Sequence, residues 1–132
     1  MLVAGTAALA TSYRGWLGGG AYAPGARLTG RAFAGLLDLQ VLLGLGLYAS
    51  SPLVRAGLAD LGAAMAVKEL RFFSVEHVTG MLIAVTLLHV GVARVRRAET
   101  DAAKLRQAAV WQTLAVASVL ISLPWWRPLA RL

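Results

Sequence analysis

The chain has 132 residues, of which 58% are hydrophobic and 14% charged, with a net charge of +7 and no cysteine. This length suits one domain, and the lack of cysteine excludes disulfides, zinc–thiolate sites and Cys-held iron–sulfur clusters within the chain. The thirteen Lys and Arg residues cluster between apolar runs, as at membrane boundaries. No basic stripe with interleaved aromatic residues indicates nucleic-acid binding.

The apolar runs predict an all-α integral membrane protein, a four-helix up-and-down bundle that forms one transmembrane domain. A hydrocarbon core about 30 Å thick needs about 20 residues of helix. Residues 32–53, 75–95 and 107–126 reach that length, whereas the run at 1–13 is short. We interpret that run as a first membrane helix shortened at its start. The alternative is a cleaved signal peptide, since Ala8 to Ala10 resembles a cleavage site, but a positive n-region is missing.

Orientation follows from the basic residues in the connections, because cytoplasmic loops carry an excess of Lys and Arg. Connections 1–2 and 3–4 together hold eight: Arg14, Arg27, Arg31, Arg94, Arg96, Arg97, Lys104 and Arg106. The other side holds five: Arg55, Lys68, Arg71, Arg127 and Arg131. We therefore expect connections 1–2 and 3–4 to be cytoplasmic in a multi-pass membrane protein.

The connection between helices 2 and 3, at 52–74, contains Leu53, Leu58, Leu61 and Met65 at near-helical spacing. This pattern is typical of a short amphipathic helix lying on the membrane surface. A loop that caps the bundle is the alternative.

Polar residues inside the apolar runs are the main functional signal. Ionisable groups at membrane depth are costly and face the bundle interior, where they mark functional sites. We expect six such residues to be buried: Asp38, Gln40, Glu76, His77, His89 and Gln112.

Asp38 and His89 are expected to form a hydrogen bond. Asp38 lies seven residues after Arg31 on helix 2, and His89 lies seven before Arg96 on helix 3. Because these helices run antiparallel, both side chains should lie at the same depth, and a buried carboxylate needs a donor. Gln112 on helix 4 should lie at that depth too. The group is either a structural pair or a proton or small-solute pathway.

Helix 3 also carries a histidine followed by a stripe of small residues. His77, Gly80, Ala84 and Gly91 fall within about 60° of one another on a helical projection. The stripe permits close helix packing, or it leaves room for haem b held by His77 as metal ligand. His89 lies about 18 Å further along the helix axis than His77 and is rotated about 120° from it around that axis. The two histidines therefore cannot ligate the same iron. A second ligand would come from another chain, from missing sequence or from a methionine such as Met65.

The last stretch, "LPWWRP", contains Trp125 and Trp126, which we interpret as an interfacial anchor together with Arg127. This stretch also carries a family resemblance, together with "DLQVLLGLGLYASSPLV" and "RFFSVEHVTGMLIAV". From Gly15 to Arg127 the chain resembles small four-helix bacterial membrane proteins, common in Bacteroidetes and labelled "cytochrome B". The resemblance implies a location in the bacterial inner membrane, b-type haem and electron transfer. It also implies these motif positions: Asp38, Gln40, Glu76, His77, Trp125 and Arg127.

The chain departs from this family at its start. Family members begin with a full first helix carrying a His-Ser-x-x-Arg-Trp stretch, and "RGWLGG" here matches only the end of that helix. By this resemblance the chain starts at an internal methionine and lacks the histidine best placed to face His77.

Three functions remain open from the sequence. The first is a small membrane cytochrome or a haem-associated subunit of an electron-transfer assembly. The second is a non-enzymatic accessory subunit without cofactor, and the third is the pathway through Asp38, His89 and Gln112. No hydrolytic or phosphate-loop motif is present, so we expect an electron-transfer or structural role and no enzymatic activity. The expected partners are the lipid bilayer and other membrane proteins or further copies of the chain, with no nucleic acid.

Overall fold

The computed structural model describes residues 1–126, which are almost entirely helical and include no β-strand. The long helices are α1 (Leu2–Leu17), α2 (Pro24–Ser50), α6 (His77–Arg97) and α7 (Asp101–Ile121). Between α2 and α6 lie α3 (Pro52–Ala59), α4 (Leu61–Ala66), α5 (Lys68–Arg71) and a π-helical turn (Phe72–Glu76). The all-α prediction is confirmed.

The turn that joins α1 to α2 is shorter than its Gly- and Pro-rich sequence indicates. It contains only residues 18–23, with Gly19 at a φ of 64°, a conformation that glycine adopts without steric cost. Pro24 then occupies the first position of α2, where its missing N–H needs no partner. As a result α2 begins eight residues before the predicted start at 32, and Arg27 and Arg31 belong to its first turns.

The last helix lies earlier in the chain than predicted. α7 begins at Asp101 because the Thr100 hydroxyl accepts a hydrogen bond from the Ala103 N–H at 3.2 Å, which caps the helix. It ends at Ile121, before the predicted end at 126. Lys104 and Arg106 therefore lie within the helix, although their charge is typical of a loop between membrane spans.

The connection at 52–74 is helical, as three short helices and the π turn rather than one amphipathic helix. Two side chains begin these helices: Ser51 accepts from the Val54 N–H at 3.4 Å, and Asp60 accepts from the Ala63 N–H at 2.9 Å. Such caps satisfy backbone donors that have no partner within the helix.

The four long helices contact one another in a definite order. α1 packs between α2 and α7, α7 packs along α6, and α6 contacts α2 less extensively. The buried core takes side chains from all four: Ala8, Phe33, Leu37, Met81, Ala84, Leu88, Ala115 and Val119. Small residues permit the approach of α1, since a Cβ at Gly5 would lie 3.2 Å from both Phe33 and Val116.

Two helical segments are long and apolar enough to cross a membrane. They are Pro24–Ser50 and the continuous segment Lys68–Arg97. Only 11% and 22% of their apolar windows are buried within the chain, whereas the core helix of a soluble protein is mostly buried. Large apolar side chains of α2 instead face outward: Leu36, Leu39, Leu42, Leu43, Leu45 and Leu47. α1 has 16 residues and is short for a span, in agreement with the sequence.

Candidate functional site

His77 directly follows the π-helical turn within one continuous helical segment. Ser74 lies inside that turn, so no new helix begins at "VEH". π turns inside α-helices are rare, and those that do occur are frequently found at functional sites. The Ser74 carbonyl accepts a hydrogen bond from the Tyr48 hydroxyl of α2 at 2.7 Å, which ties the turn to that helix.

The His77 ring is held by one hydrogen bond to α7. Its Nδ1 lies 2.7 Å from the Ser122 carbonyl oxygen and donates to it, because a carbonyl can only accept. Ser122 follows the last residue of α7, and the last carbonyls of a helix lack partners within it. The hydrogen bond leaves Nε2 as the ring nitrogen available to a metal ion. A metal-binding histidine usually donates its other N–H to an oxygen in this way.

The stripe of Gly80, Ala84 and Gly91 is filled by α7. A Cβ at Gly80 would overlap the Ser122 hydroxyl, and one at Gly91 would overlap Trp111. Ala84 is fully buried in the core. Of the two interpretations of the stripe, these contacts support close packing of α6 on α7, which small residues permit.

His77 instead lines a small cleft between α2 and α6, which we call the α2/α6 groove and define by Gln40, Gly44, Tyr48, His77 and Met81. A Cβ at Gly44 would have no atom within 4 Å, so the α2 side of the groove is open. The groove encloses about 60 Å³. Ligand pockets of drug size hold about 300–1,000 Å³, so this chain alone does not enclose a macrocycle. Met65 is exposed in α4 and does not line the groove.

Asp38 and His89 lie further along the same two helices. His89 Nε2 donates to Asp38 Oδ1 at 2.8 Å, which confirms the hydrogen bond expected from their matching depth. However, 55% of the His89 side chain and 40% of the Asp38 side chain are exposed. The expectation that the pair is buried inside the bundle is therefore wrong. α6 contacts α2 along a limited seam, and the pair lies on its outer side.

The other predicted polar residues divide between surface and core. Glu76 is exposed and forms an ion pair with Arg71 at 2.7 Å, and Gln40 is also exposed, so their predicted burial is wrong. Gln112 is buried, with 6% exposed, and its Oε1 accepts from the Ser12 hydroxyl at 3.0 Å. Within residues 1–126 no hydrogen bond joins Gln112 to Asp38 or His89.

The aromatic residues at the end of the chain lie beyond α7. Trp125 is exposed and donates from Nε1 to the Leu120 carbonyl at 2.8 Å. The Trp126 ring meets Phe72 edge-on at 4.5 Å between centroids, and Lys68 Nζ lies 4.2 Å from the Trp126 ring centroid. Arg127, the third member of the predicted anchor, lies outside the described residues.

A second cavity of about 200 Å³, which we call the basic cavity, lies where α2 and α7 begin and α6 ends. Four cationic side chains line it: Arg27, Arg31, Arg96 and Lys104. The sequence did not predict this convergence, since we used these residues only to count charge at the membrane boundary. Their placement in terminal turns of neighbouring helices is the signal that could have revealed it.

Comparisons with protein-family models, with curated proteins and with solved structures give no match to this chain. Within residues 1–126 no group of three His, Asp or Glu side chains could hold a metal ion. The site is therefore defined by geometry alone: an imidazole in an open groove and, further along, an outward-facing Asp–His pair.

Proposed function

We propose that the chain is a multi-pass subunit of a larger assembly in the bacterial inner membrane, and that a partner covers the face formed by α2 and α6. In this proposal α1, α2, α6 and α7 form an up-and-down transmembrane bundle. The outward leucines of α2 support contact with lipid or protein. The count of eight basic residues against five supports a cytoplasmic location for the turns that join α1 to α2 and α6 to α7.

One observation carries this proposal: the Asp38–His89 pair faces outward near the middle of α2. Ionisable residues at membrane depth almost always face a protein interior or a water-filled cavity, since exposure to hydrocarbon is costly. A second chain on this face would supply that interior. The open Gly44 surface would let its helix approach closely.

Cysteine cross-linking in native membranes tests the proposal, because the chain has no cysteine of its own. Gln40→Cys places a thiol in the α2/α6 groove, and Val3→Cys places one on an exposed position of α1 as a control. We expect cross-linked products, either a dimer or a larger species, from Gln40→Cys alone. Adding Asp38→Asn and His89→Gln should lower their yield severalfold. Equal yields from the two cysteines would rule out a partner specific to this face.

A second candidate function is haem association through His77, as the family resemblance implies. The hydrogen bond from His77 Nδ1 to the Ser122 carbonyl supports it, because Nε2 is then the free donor atom and the ring is oriented. As a donor His77 fits haem iron, which would supply reversible one-electron transfer. The groove volume fits a macrocycle only if the partner chain completes the enclosure and supplies the second ligand.

An absorption spectrum of membranes that overproduce the chain with its partners tests this second candidate. We expect a Soret band that His77→Ala removes and His89→Ala retains. The two variants are matched, since each removes one imidazole from α6. A band that survives His77→Ala would eliminate His77 as ligand.

A further inference from the structure

We propose that the basic cavity binds a phosphate-bearing anion, either the headgroup of an anionic lipid or a free phosphate compound. This inference goes beyond the proposed function and uses neither the α2/α6 groove nor His77. Arg27 and Arg31 come from α2, Arg96 from the last turns of α6, and Lys104 from the first turn of α7. Three helices thus direct four positive charges at one cavity.

The charges in the cavity are poorly compensated by the rest of the chain. Among residues 1–126 no carboxylate lines the cavity. Lys104 contacts Asp101 at a long 3.8 Å, and within residues 1–126 the three arginines form no ion pair. Like charges that converge without counter-charge repel one another, and a bound anion relieves that repulsion. Arg27 is also held in place, with its guanidinium 5.8 Å from the Tyr22 ring centroid.

Gln112 offers a side-chain hydrogen-bond donor at the inner end of the cavity. Gln112 is 6% exposed and lines the cavity, about 12 Å along α7 from Lys104. Its Oε1 is engaged by Ser12, so Nε2 is the remaining polar atom, and no acceptor for it lies within residues 1–126. The amide is therefore free to donate to an oxygen that enters past the arginines.

A phosphate group matches this combination of groups. Arginine binds phosphate oxygens through paired N–H donors, and lysine adds a point charge. Basic pockets between helices on the cytoplasmic side of membrane proteins bind anionic headgroups in this way. The proposed orientation places this end of the bundle on the cytoplasmic side, and the apolar Leu88, Val92 and Val95 line the cavity beside the charges.

Native mass spectrometry of the purified chain in uncharged detergent tests the lipid arm, with phosphatidylglycerol and phosphatidylcholine as probes. Titration calorimetry with inorganic phosphate tests the free-anion arm. The test variant is Arg96→Gln with Lys104→Gln. Its matched control is Arg94→Gln with Arg106→Gln, which removes the same two charges from the same two helices outside the basic cavity.

We expect the wild-type chain to prefer phosphatidylglycerol over phosphatidylcholine or to bind inorganic phosphate. The test pair should weaken that binding roughly twentyfold to thirtyfold, and the control pair by less than about threefold. If the chain retains phosphatidylglycerol but does not bind inorganic phosphate, the ligand of the basic cavity is a lipid headgroup. If the chain binds inorganic phosphate, the ligand is a free phosphate compound. Equal weakening by both pairs, or no binding of either anion, would overturn the proposal. If circular dichroism shows that the test pair does not fold, Arg27→Gln with Arg31→Gln decides in its place.

Discussion

Gly91 of α6 lies so close to Trp111 of α7 that a Cβ atom at position 91 would overlap the Trp111 Cβ. The neighbouring atom belongs to the rigid base of the tryptophan side chain, so it cannot move without the α7 backbone. This contact fixes the distance between two helices whose interface is the most extensive in the chain. It also explains why a stripe of small residues follows His77.

Gly91→Ala should therefore destabilise the protein. Overpacking costs about 1–3 kcal/mol, which outweighs the gain of about 1 kcal/mol from replacing glycine in a helix. Gly44→Ala is the matched control, because a Cβ there meets no atom within 4 Å, and it should be neutral or stabilising. Thermal unfolding in detergent compares the two. A Gly91→Ala protein as stable as the wild type would contradict the close packing.

The His77 ring should carry its proton on Nδ1 in the neutral form, since that nitrogen donates to the Ser122 carbonyl. Nitrogen-15 NMR of histidine-labelled protein distinguishes the two ring nitrogens. Only two histidines are present, so the spectrum of a His89→Gln protein assigns His77 directly. A protonated Nε2 with a bare Nδ1 would contradict the hydrogen bond and remove the support for metal binding at this residue.

Asp38 and His89 should be energetically coupled. A double-mutant cycle with Asp38→Asn and His89→Gln should give a coupling free energy of about 0.5–2 kcal/mol, because the two side chains share one hydrogen bond. Thr86 is an exposed polar residue of α6 whose hydroxyl donates to the Leu82 carbonyl of its own helix. The same cycle with Asp38→Asn and Thr86→Val should give a value near zero. Similar values from the two cycles would show that the hydrogen bond contributes nothing specific.

Thr100→Ala should shorten α7 and lower the free energy of unfolding by about 1 kcal/mol, because the Ala103 N–H loses its acceptor. Thr100→Ser keeps the hydroxyl and should remain close to wild type. Chemical unfolding measured by circular dichroism checks both. Equal effects of alanine and serine would indicate that the cap makes no contribution.

The π-helical turn offers a pair of opposite predictions. The Ser74 hydroxyl is buried, and no partner for it lies within residues 1–126, so Ser74→Ala should be neutral or stabilise by up to about 1 kcal/mol. Tyr48→Phe removes the donor to the Ser74 carbonyl and should cost about 1 kcal/mol. Thermal unfolding tests both, and the interpretation fails if Ser74→Ala is the more harmful change.

Several features followed from the sequence alone because they depend on residues near one another in the chain. Long apolar runs were enough to predict the helical class. The seven-residue spacings from Arg31 and Arg96 were enough to match Asp38 with His89, since depth along a helix follows from residue count. The sequence also indicated that the first helix is short.

Which way each helix face points was decided only by the tertiary structure. A helical projection places Gly80 and Gly91 on one face of α6, but it does not show that α7 packs against that face. It also does not show that the contact between α6 and α2 leaves Asp38 and His89 on the outside. Likewise, Arg27 is far in sequence from Arg96 and Lys104, and its side chain meets theirs only because three helix ends come together. The physical reason is that periodicity is a local property, whereas the neighbour of a helix is chosen by packing across the whole bundle.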